Sequence, residues 1–208
     1  MTNNCRNKWY YMVKNCNPRF RQGYLGGEHI LGFLNHSLCY NNKPFEPVIK
    51  TEGGARKGDF MFVSLNFCIS EAVIRCFQEN RLTGWGVFPV NMRDRQNNVV
   101  NDYYGLYIRG RVGLDETQSR IIMHSSCPEY VKESEYRVGV KVDTSVWDGS
   151  DICTTKGINL LVTEKAANAM IQAGLTNAKL TLVEDMLFPV FHIEEENNGE
   201  QKAGCRNH

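Results

Sequence analysis

An ungapped internal repeat constrains this chain more than any other feature of its sequence. Residues 70–84 read SEAVIRCFQENRLTG and residues 163–177 read TEKAANAMIQAGLTN, at a constant offset of 93 positions (163 minus 70). Both segments begin with a hydroxyl residue followed by glutamate, and both end in a Leu-Thr pair followed by Gly84 or Asn177. The chain is therefore expected to build the same small unit twice.

The residues of each segment predict a capped helix. Ser70 and Thr163 are N-cap types whose side-chain oxygen accepts an unpaired backbone N–H, and a glutamate in the first turn suits the positive end of the helix dipole. Apolar residues then recur at the spacing of one helical face: Val73, Ile74 and Phe77 in the first segment, and Ala166, Ala167, Met170 and Ile171 in the second. Gly84 and Asn177 can adopt the left-handed conformation that ends such an element.

Strand-like runs flank both helices, so each unit is predicted to be strand, capped helix, strand. The runs are FMFVSL (60–65), WGVFPVNM (85–92), INLLV (158–162) and AKLTLV (178–183). Further strands are predicted at KWYYMV (8–13), YYGLYIRG (103–110), SRIIMH (119–124) and YRVGVKV (136–142), with one more short helix at PEYVKESE (128–135) and a loop at TEGGARKGD (51–59). This balance favours an α+β protein with a mixed, largely antiparallel sheet and a few helices.

The domain organisation follows from composition. A 208-residue chain with 42% hydrophobic residues can bury a real core, and no stretch has the composition of a linker. We expect one domain over residues 1–193, in which residues 1–58 could form an N-terminal lobe. Residues 194–208 form a polar tail with too little apolar content to order itself.

The net charge of +1 indicates no nucleic-acid or acidic membrane partner. The longest apolar run near the start, WYYMV (9–13), is shorter than a signal-peptide core, and no run approaches the ~20 residues of a membrane span. We therefore expect a cytoplasmic protein.

No motif predicts a cofactor, a metal or a catalytic group. The eight cysteines are scattered without a C-x-x-C pair, which favours reduced thiols over disulfides or a zinc site. The glycines of TEGGARKGD and of GWG (84–86) reproduce neither a P-loop nor a dinucleotide fingerprint. The sequence therefore offers no catalytic residue by motif.

The segment WDGSD (147–151) is the one candidate for chemistry or recognition, because Trp147 stands beside Asp148 and Asp151. Closely spaced acids can bind a metal or act as acid and base. The same residues also make a turn that an adjacent tryptophan covers. A calcium loop would need a final glutamate that CTTKG (153–157) does not supply.

The order of motifs over residues 60–185 resembles a known family. The motifs are the Ser-Glu helix ending in Leu-Thr-Gly, a tyrosine-rich strand running into LDETQS (114–119), the WDGSDI loop (147–152), and the closing helix ending in GLTN (174–177). In this order they resemble a bacterial immunity-protein family, with myxobacterial examples, that was first catalogued as a domain of unknown function beside polymorphic toxins. The family pattern leads us to expect an asparagine at the position of Arg109 or Gly110, in the strand before LDETQS, and the present chain has none there.

The resemblance implies a cytoplasmic protein that binds and neutralises a cognate toxin domain and performs no chemistry. Exposed large side chains on loops would then supply the contacts, with Trp147, Asp148 and Asp151 as the predicted partner-binding residues. The alternatives are a small enzyme or a ligand-binding protein that uses the Trp147–Asp151 loop, or a module that binds nucleic acid through its aromatic strands.

Overall fold

The protein is a mixed α+β structure in which most strand pairs are antiparallel, and this confirms the predicted class. A computed structural model describes residues 8–14, 19–25, 48–63, 66–125, 129–155 and 160–190. The predicted polar tail, 194–208, and much of the predicted N-terminal lobe lie outside these residues.

The described chain forms two α-helices of nine residues each, α1 (Glu71–Glu79) and α2 (Glu164–Gln172). The strands in chain order are β1 (Trp9–Lys14), β2 (Arg21–Leu25), β3 (Val48–Gly53), β4 (Phe60–Val63), β5 (Asn66–Ser70), β6 (Trp85–Phe88), β7 (Asn91–Arg93), β8 (Tyr103–Ile108), β9 (Gly110–Arg111), β10 (Gly113–Asp115), β11 (Arg120–His124), β12 (Ser134–Val138), β13 (Lys141–Asp143), β14 (Ile152–Thr154), β15 (Leu160–Thr163), β16 (Ala178–Leu182) and β17 (Phe188–Pro189).

Two large sheets share one strand plan. Five strands of the seven-stranded sheet, β6-β8-β5-β4-β2, match the five-stranded sheet β16-β1-β15-β14-β9 position for position. Within these two sets of five strands, the pairings are antiparallel except the last one of each set, where β2 runs parallel to β4 and β9 runs parallel to β14. The remaining strands extend the first sheet (β3 and β7) or form two small sheets, β10-β13 and β11-β12-β17.

The first strand of each half of the chain lies in the sheet that the other half mainly builds. Strand β1 lies in the five-stranded sheet although β2, next in the chain, lies in the other one; β8 lies in the seven-stranded sheet and β9 in the five-stranded one. The registers agree as well, since Tyr103 of β8 faces Ser70 while Trp9 of β1 faces Thr163. The internal repeat therefore extends beyond the two helices and interlocks the halves of the chain.

The main core lies between the two sheets and around both helices. It includes Phe60, Phe77, Leu106, Ile152 and Met170. The outer face of each sheet is also covered: Met61 and Cys68 join a second cluster on the seven-stranded sheet, and Cys153 and Leu161 join a third on the five-stranded sheet. Because both faces of the central strands are buried, these strands read as continuous apolar runs.

Both helices begin at the residues that the sequence predicts, but only one uses the predicted cap. The Thr163 hydroxyl accepts the backbone N–H of Ala166 at 3.3 Å, whereas Ser70 makes no such bond and donates to a carboxylate instead. The turns after the helices place Gly84 at φ +88° and Asn177 at φ +64°, in the left-handed region that was expected there.

The prediction of a short helix at 128–135 is wrong. Within its described part, Glu129 and Tyr130 form a turn, and Ser134 and Glu135 begin strand β12, which pairs with β11. Cross-strand pairing outweighs the weak local helix preference of this short segment. The loop predicted at 51–59 is also partly strand, because β3 continues to Gly53.

Candidate partner-binding surfaces

The Trp147–Asp151 loop is bonded to itself and to strand β9. The indole Nε1 of Trp147 donates to the carbonyl oxygen of Ser150 at 2.9 Å, and the Asp148 Oδ1 accepts the backbone N–H of Ser150 at 3.0 Å. Asp148 Oδ2 also accepts the backbone N–H of Arg111 at 3.2 Å. These bonds agree with the interpretation of this segment as a turn that a tryptophan covers.

Trp147 is half-buried against the outer face of the five-stranded sheet. Its ring meets Trp9 edge-to-face with centroids 5.3 Å apart. Trp147 therefore packs on the core cluster that contains Trp9, while the carboxylate of Asp148 remains exposed.

Asp151, predicted as a partner-binding residue, is 8% exposed and joins the two halves of the chain. Its Oδ2 accepts the backbone N–H of Thr83 at 3.0 Å and the Thr83 hydroxyl at 3.2 Å, while its Oδ1 accepts the Thr163 hydroxyl at 3.2 Å. Both oxygens of the Asp151 carboxylate thus accept hydrogen bonds from other residues of the protein.

Asp59 makes the same set of bonds in the other half. Its Oδ2 accepts the backbone N–H of Thr176 at 2.8 Å and the Thr176 hydroxyl at 2.7 Å, and its Oδ1 accepts the Ser70 hydroxyl at 2.9 Å. Each aspartate therefore ties the strand before one helix to the Leu-Thr turn after the other helix. Sequence reasoning missed Asp59, although Asp-Phe at 59–60 and Asp-Ile at 151–152 precede equivalent strands. The offset here is 92 rather than 93, which hides the match.

One difference separates the two junctions. The ammonium of Lys165 lies 3.0 Å from Asp151 Oδ2 and also donates to the carbonyl oxygen of Arg81 at 3.2 Å. The equivalent residue in the first half is Ala72. The Asp151 junction therefore includes a lysine, and the Asp59 junction has no lysine at the equivalent position 72.

The described cysteines are buried thiols. Burial raises the pKa of Cys68 and Cys76, and it raises the pKa of Cys153 to about 12, with the Asp148 carboxylate adding to that effect. A thiol that stays protonated is a poor nucleophile and a poor metal ligand. Within the residues that the structure describes, no group of three or more His, Cys, Asp or Glu side chains is placed to hold a metal ion.

Four of the nine large apolar side chains that the described residues expose lie on or near strand β11, and sequence reasoning did not single them out. Ile121 and Met123 are 51% and 56% exposed and lie on one face of the strand, since they are two residues apart. Tyr130 is 84% exposed, and Val131 beside it is also exposed. We call Ile121, Met123, Tyr130 and Val131 the β11 patch.

Two contacts place this patch at the rim of the small sheet. In the described chain β11 is an outer strand of the order β11-β12-β17. The Ser125 hydroxyl donates to the Val131 carbonyl oxygen at 2.6 Å, which brings residues 130–131 back to the end of β11. The ring of His124 packs edge-to-face on Tyr136. The patch thus combines an outer strand with an exposed tyrosine.

No protein-family model matches this chain, and no curated protein matches it. Among the described residues, no helix has the length and apolar content that crossing a membrane requires.

Proposed function

We propose that this protein is a cytoplasmic immunity protein that binds a cognate toxin domain and neutralises it by direct contact. The motif resemblance supplies the hypothesis, and the observation that carries it is the β11 patch. Soluble chains seldom expose several large apolar side chains together unless that surface meets a partner. Tyrosine is also among the residues that concentrate binding energy at protein interfaces.

The geometry of the patch suits recognition of a protein. An outer strand can accept a further strand through its backbone groups, and the exposed side chains on one face can then select the sequence that docks. Ile121 and Met123 project on the same face, and Tyr130 adds an aromatic anchor close to the strand end. The two sheets and their interlocked strands provide a rigid base for such a surface.

The Trp147–Asp151 loop is a second part of the proposed contact surface. Asp148 carries the exposed carboxylate that can pair with a basic toxin surface, and Trp147 holds the loop in place through Trp9 and Ser150. Asp151 acts inside the protein, where it fixes the position of the loop end. We further propose that the two strand-helix-strand units are structural repeats and not paired active sites. The side chains on their buried helix faces differ in size, and both faces pack into one shared core.

The alternative is an enzyme or ligand-binding protein built on the same loop. Asp151 is a natural candidate, but it is buried and the hydrogen bonds from Thr83 and Thr163 occupy its carboxylate. A catalytic acid or base needs a position from which it reaches a substrate proton. The occupied carboxylate of Asp151 therefore supports the binding role over this alternative.

Co-expression tests the proposal. The neighbouring upstream gene should encode a large secreted protein with a variable C-terminal toxin domain, and that domain is expressed in a susceptible host with and without the present protein. We expect survival only when both are present, together with recovery of the toxin domain in a pull-down. Death of the host despite soluble protein would contradict the proposal, as would a neighbouring gene product that is harmless and does not bind.

A further inference from the structure

An apolar pocket of about 370 Å³ lies beside the end of helix α2. It is lined by Phe60, Met170, Ile171, Leu175, Ala178, Lys179 and Leu180. Ile171 is 64% exposed although it belongs to the apolar stripe of the helix. The volume falls in the range of about 300–1,000 Å³ that is usual for small-molecule and side-chain pockets.

The equivalent place in the first half of the chain is filled by a tryptophan. At the offset of 93, Ala178 corresponds to Trp85, Met170 to Phe77, and Leu175 to Leu82. The Trp85 ring packs edge-to-face on Phe77 with centroids 5.0 Å apart, and its Nε1 donates to the Leu82 carbonyl oxygen at 2.8 Å. Met170 and Leu175 in the pocket wall are thus the equivalents of Phe77 and Leu82, the two residues that contact the indole of Trp85.

The backbone around the two places also agrees. Leu82 N–H donates to the Phe77 carbonyl oxygen at 2.9 Å, and Leu175 N–H donates to that of Met170 at 3.1 Å. Trp85 pairs with Ile108 of β8, while Ala178 pairs with Lys14 of β1, the equivalent strand. The pocket is therefore the space that a tryptophan side chain occupies in the first half, opened by alanine in the second.

We infer that this pocket binds a planar aromatic side chain of a partner protein, in the place that Trp85 fills in the other half. Met170 supplies a polarisable wall of the kind that packs well on aromatic rings. The Leu175 carbonyl oxygen holds the position of the acceptor that Trp85 uses. The identity of that partner as the toxin rests on the proposed function.

Indole is the probe that tests the pocket itself. It is titrated into the full-length protein with labelled Ile, Leu and Met methyl groups, and the spectra are followed by NMR. We expect saturable shifts at Met170, Ile171, Leu175 and Leu180, with a dissociation constant on the order of 1–10 mM for so small a ligand. The Ala178→Trp variant fills the pocket with its own ring, so these shifts should vanish while its melting temperature stays equal or rises by about 2–4 °C.

The twin position gives a matched control. Trp85→Ala opens the corresponding space beside Phe77 and Leu82, and indole should bind there and raise the melting temperature of that variant. Wild-type protein that shows no shift at Met170 and Leu175 up to about ten times the expected dissociation constant overturns the proposal, whether or not Trp85→Ala folds. If the same methyl signals shift when only the protein concentration changes, the pocket binds a second copy of this chain. That result would also overturn the proposal.

The toxin assay separates the pocket from the proposed function. If wild-type protein protects cells and folded Ala178→Trp loses protection by 10-fold or more, the aromatic ring belongs to the toxin. If Ala178→Trp protects as well as wild type, the toxin does not use the pocket and the inference fails. Failure of wild-type protection would contradict the immunity function while the indole titration still decides whether the pocket binds a ring.

Discussion

Cys76 and Ala169 hold equivalent positions in the two helices, and they contact each other: the Cys76 thiol donates to the Ala169 carbonyl oxygen at 3.6 Å. The residues are 93 positions apart, which is the offset of the repeat. Small side chains at this crossing let the helices approach closely. The two helices therefore contact each other at equivalent positions of the repeat.

The buried thiols should be protected from alkylation. Burial raises the pKa of Cys68, Cys76 and Cys153, so at pH 8 each holds less thiolate than a free cysteine does. We expect iodoacetamide to label these three at least 10-fold more slowly in native protein than in urea, as measured by mass spectrometry of peptides. Equal rates in both conditions would show that these thiols are accessible.

The two aspartate junctions should differ in their effect on stability. Asp151→Ala leaves the N–H of Thr83 without its acceptor and removes the carboxylate that pairs with Lys165, and we expect a loss of about 2–4 kcal/mol in the free energy of unfolding. Asp59→Ala is the matched variant at the less buried junction and should cost about 1–2 kcal/mol. Urea unfolding measures both, and a larger loss at Asp59 would contradict the assigned roles.

Truncation of the buried Phe77 side chain should strongly lower the stability of the fold. It is 1% exposed and packs on Trp85 and the main cluster, so Phe77→Ala should cost about 3–5 kcal/mol. Met170→Ala, the equivalent change in the second half, should cost about 2–4 kcal/mol because that position borders an open pocket. Denaturant curves for the pair provide the comparison. A Phe77→Ala protein as stable as wild type would defeat this account of the helices.

Trp147→Ala separates a structural role from a contact role. Loss of the Trp9 contact and of the bond to Ser150 should lower stability by about 2–3 kcal/mol. Asp148→Asn removes the charge and keeps only one of the two bonds that the side chain accepts from the Ser150 and Arg111 N–H groups. It should therefore lower stability by about 0.5–1.5 kcal/mol, and weaken toxin binding if a basic surface meets the loop. Unfolding curves and toxin affinity are measured for both variants. Unchanged affinity in a folded Asp148→Asn protein would remove this loop from the contact surface.

The sequence predicts the local elements better than their arrangement. The helices begin after Ser70 and Thr163, where the local residue types predict their start, although only Thr163 forms the capping hydrogen bond. The placement of β1 in the five-stranded sheet could not be predicted, since it depends on pairings between residues more than 100 positions apart, such as Trp9 with Thr163.

The candidate site shows the same division. The turn at 147–151 was predicted from its residue types, and the self-contained bonds of Trp147 and Asp148 follow from them. The β11 patch was missed because Ile121 and Met123 look like ordinary strand residues in a sequence. Only the observed sheet order shows that they stand on an outer strand and not in a core.

The proposal as a whole depends on whether the β11 patch contacts a toxin. The decisive measurement is the affinity of the toxin domain from the neighbouring gene for wild-type protein, for Met123→Lys, and for Val99→Lys as a control at an exposed apolar residue outside the patch. Melting curves confirm that each variant is folded. We predict binding by wild-type and Val99→Lys protein, and a loss of at least 10-fold in affinity and of cell protection for Met123→Lys. Equal affinity of the two folded variants, or no binding by the wild-type protein, would contradict the account.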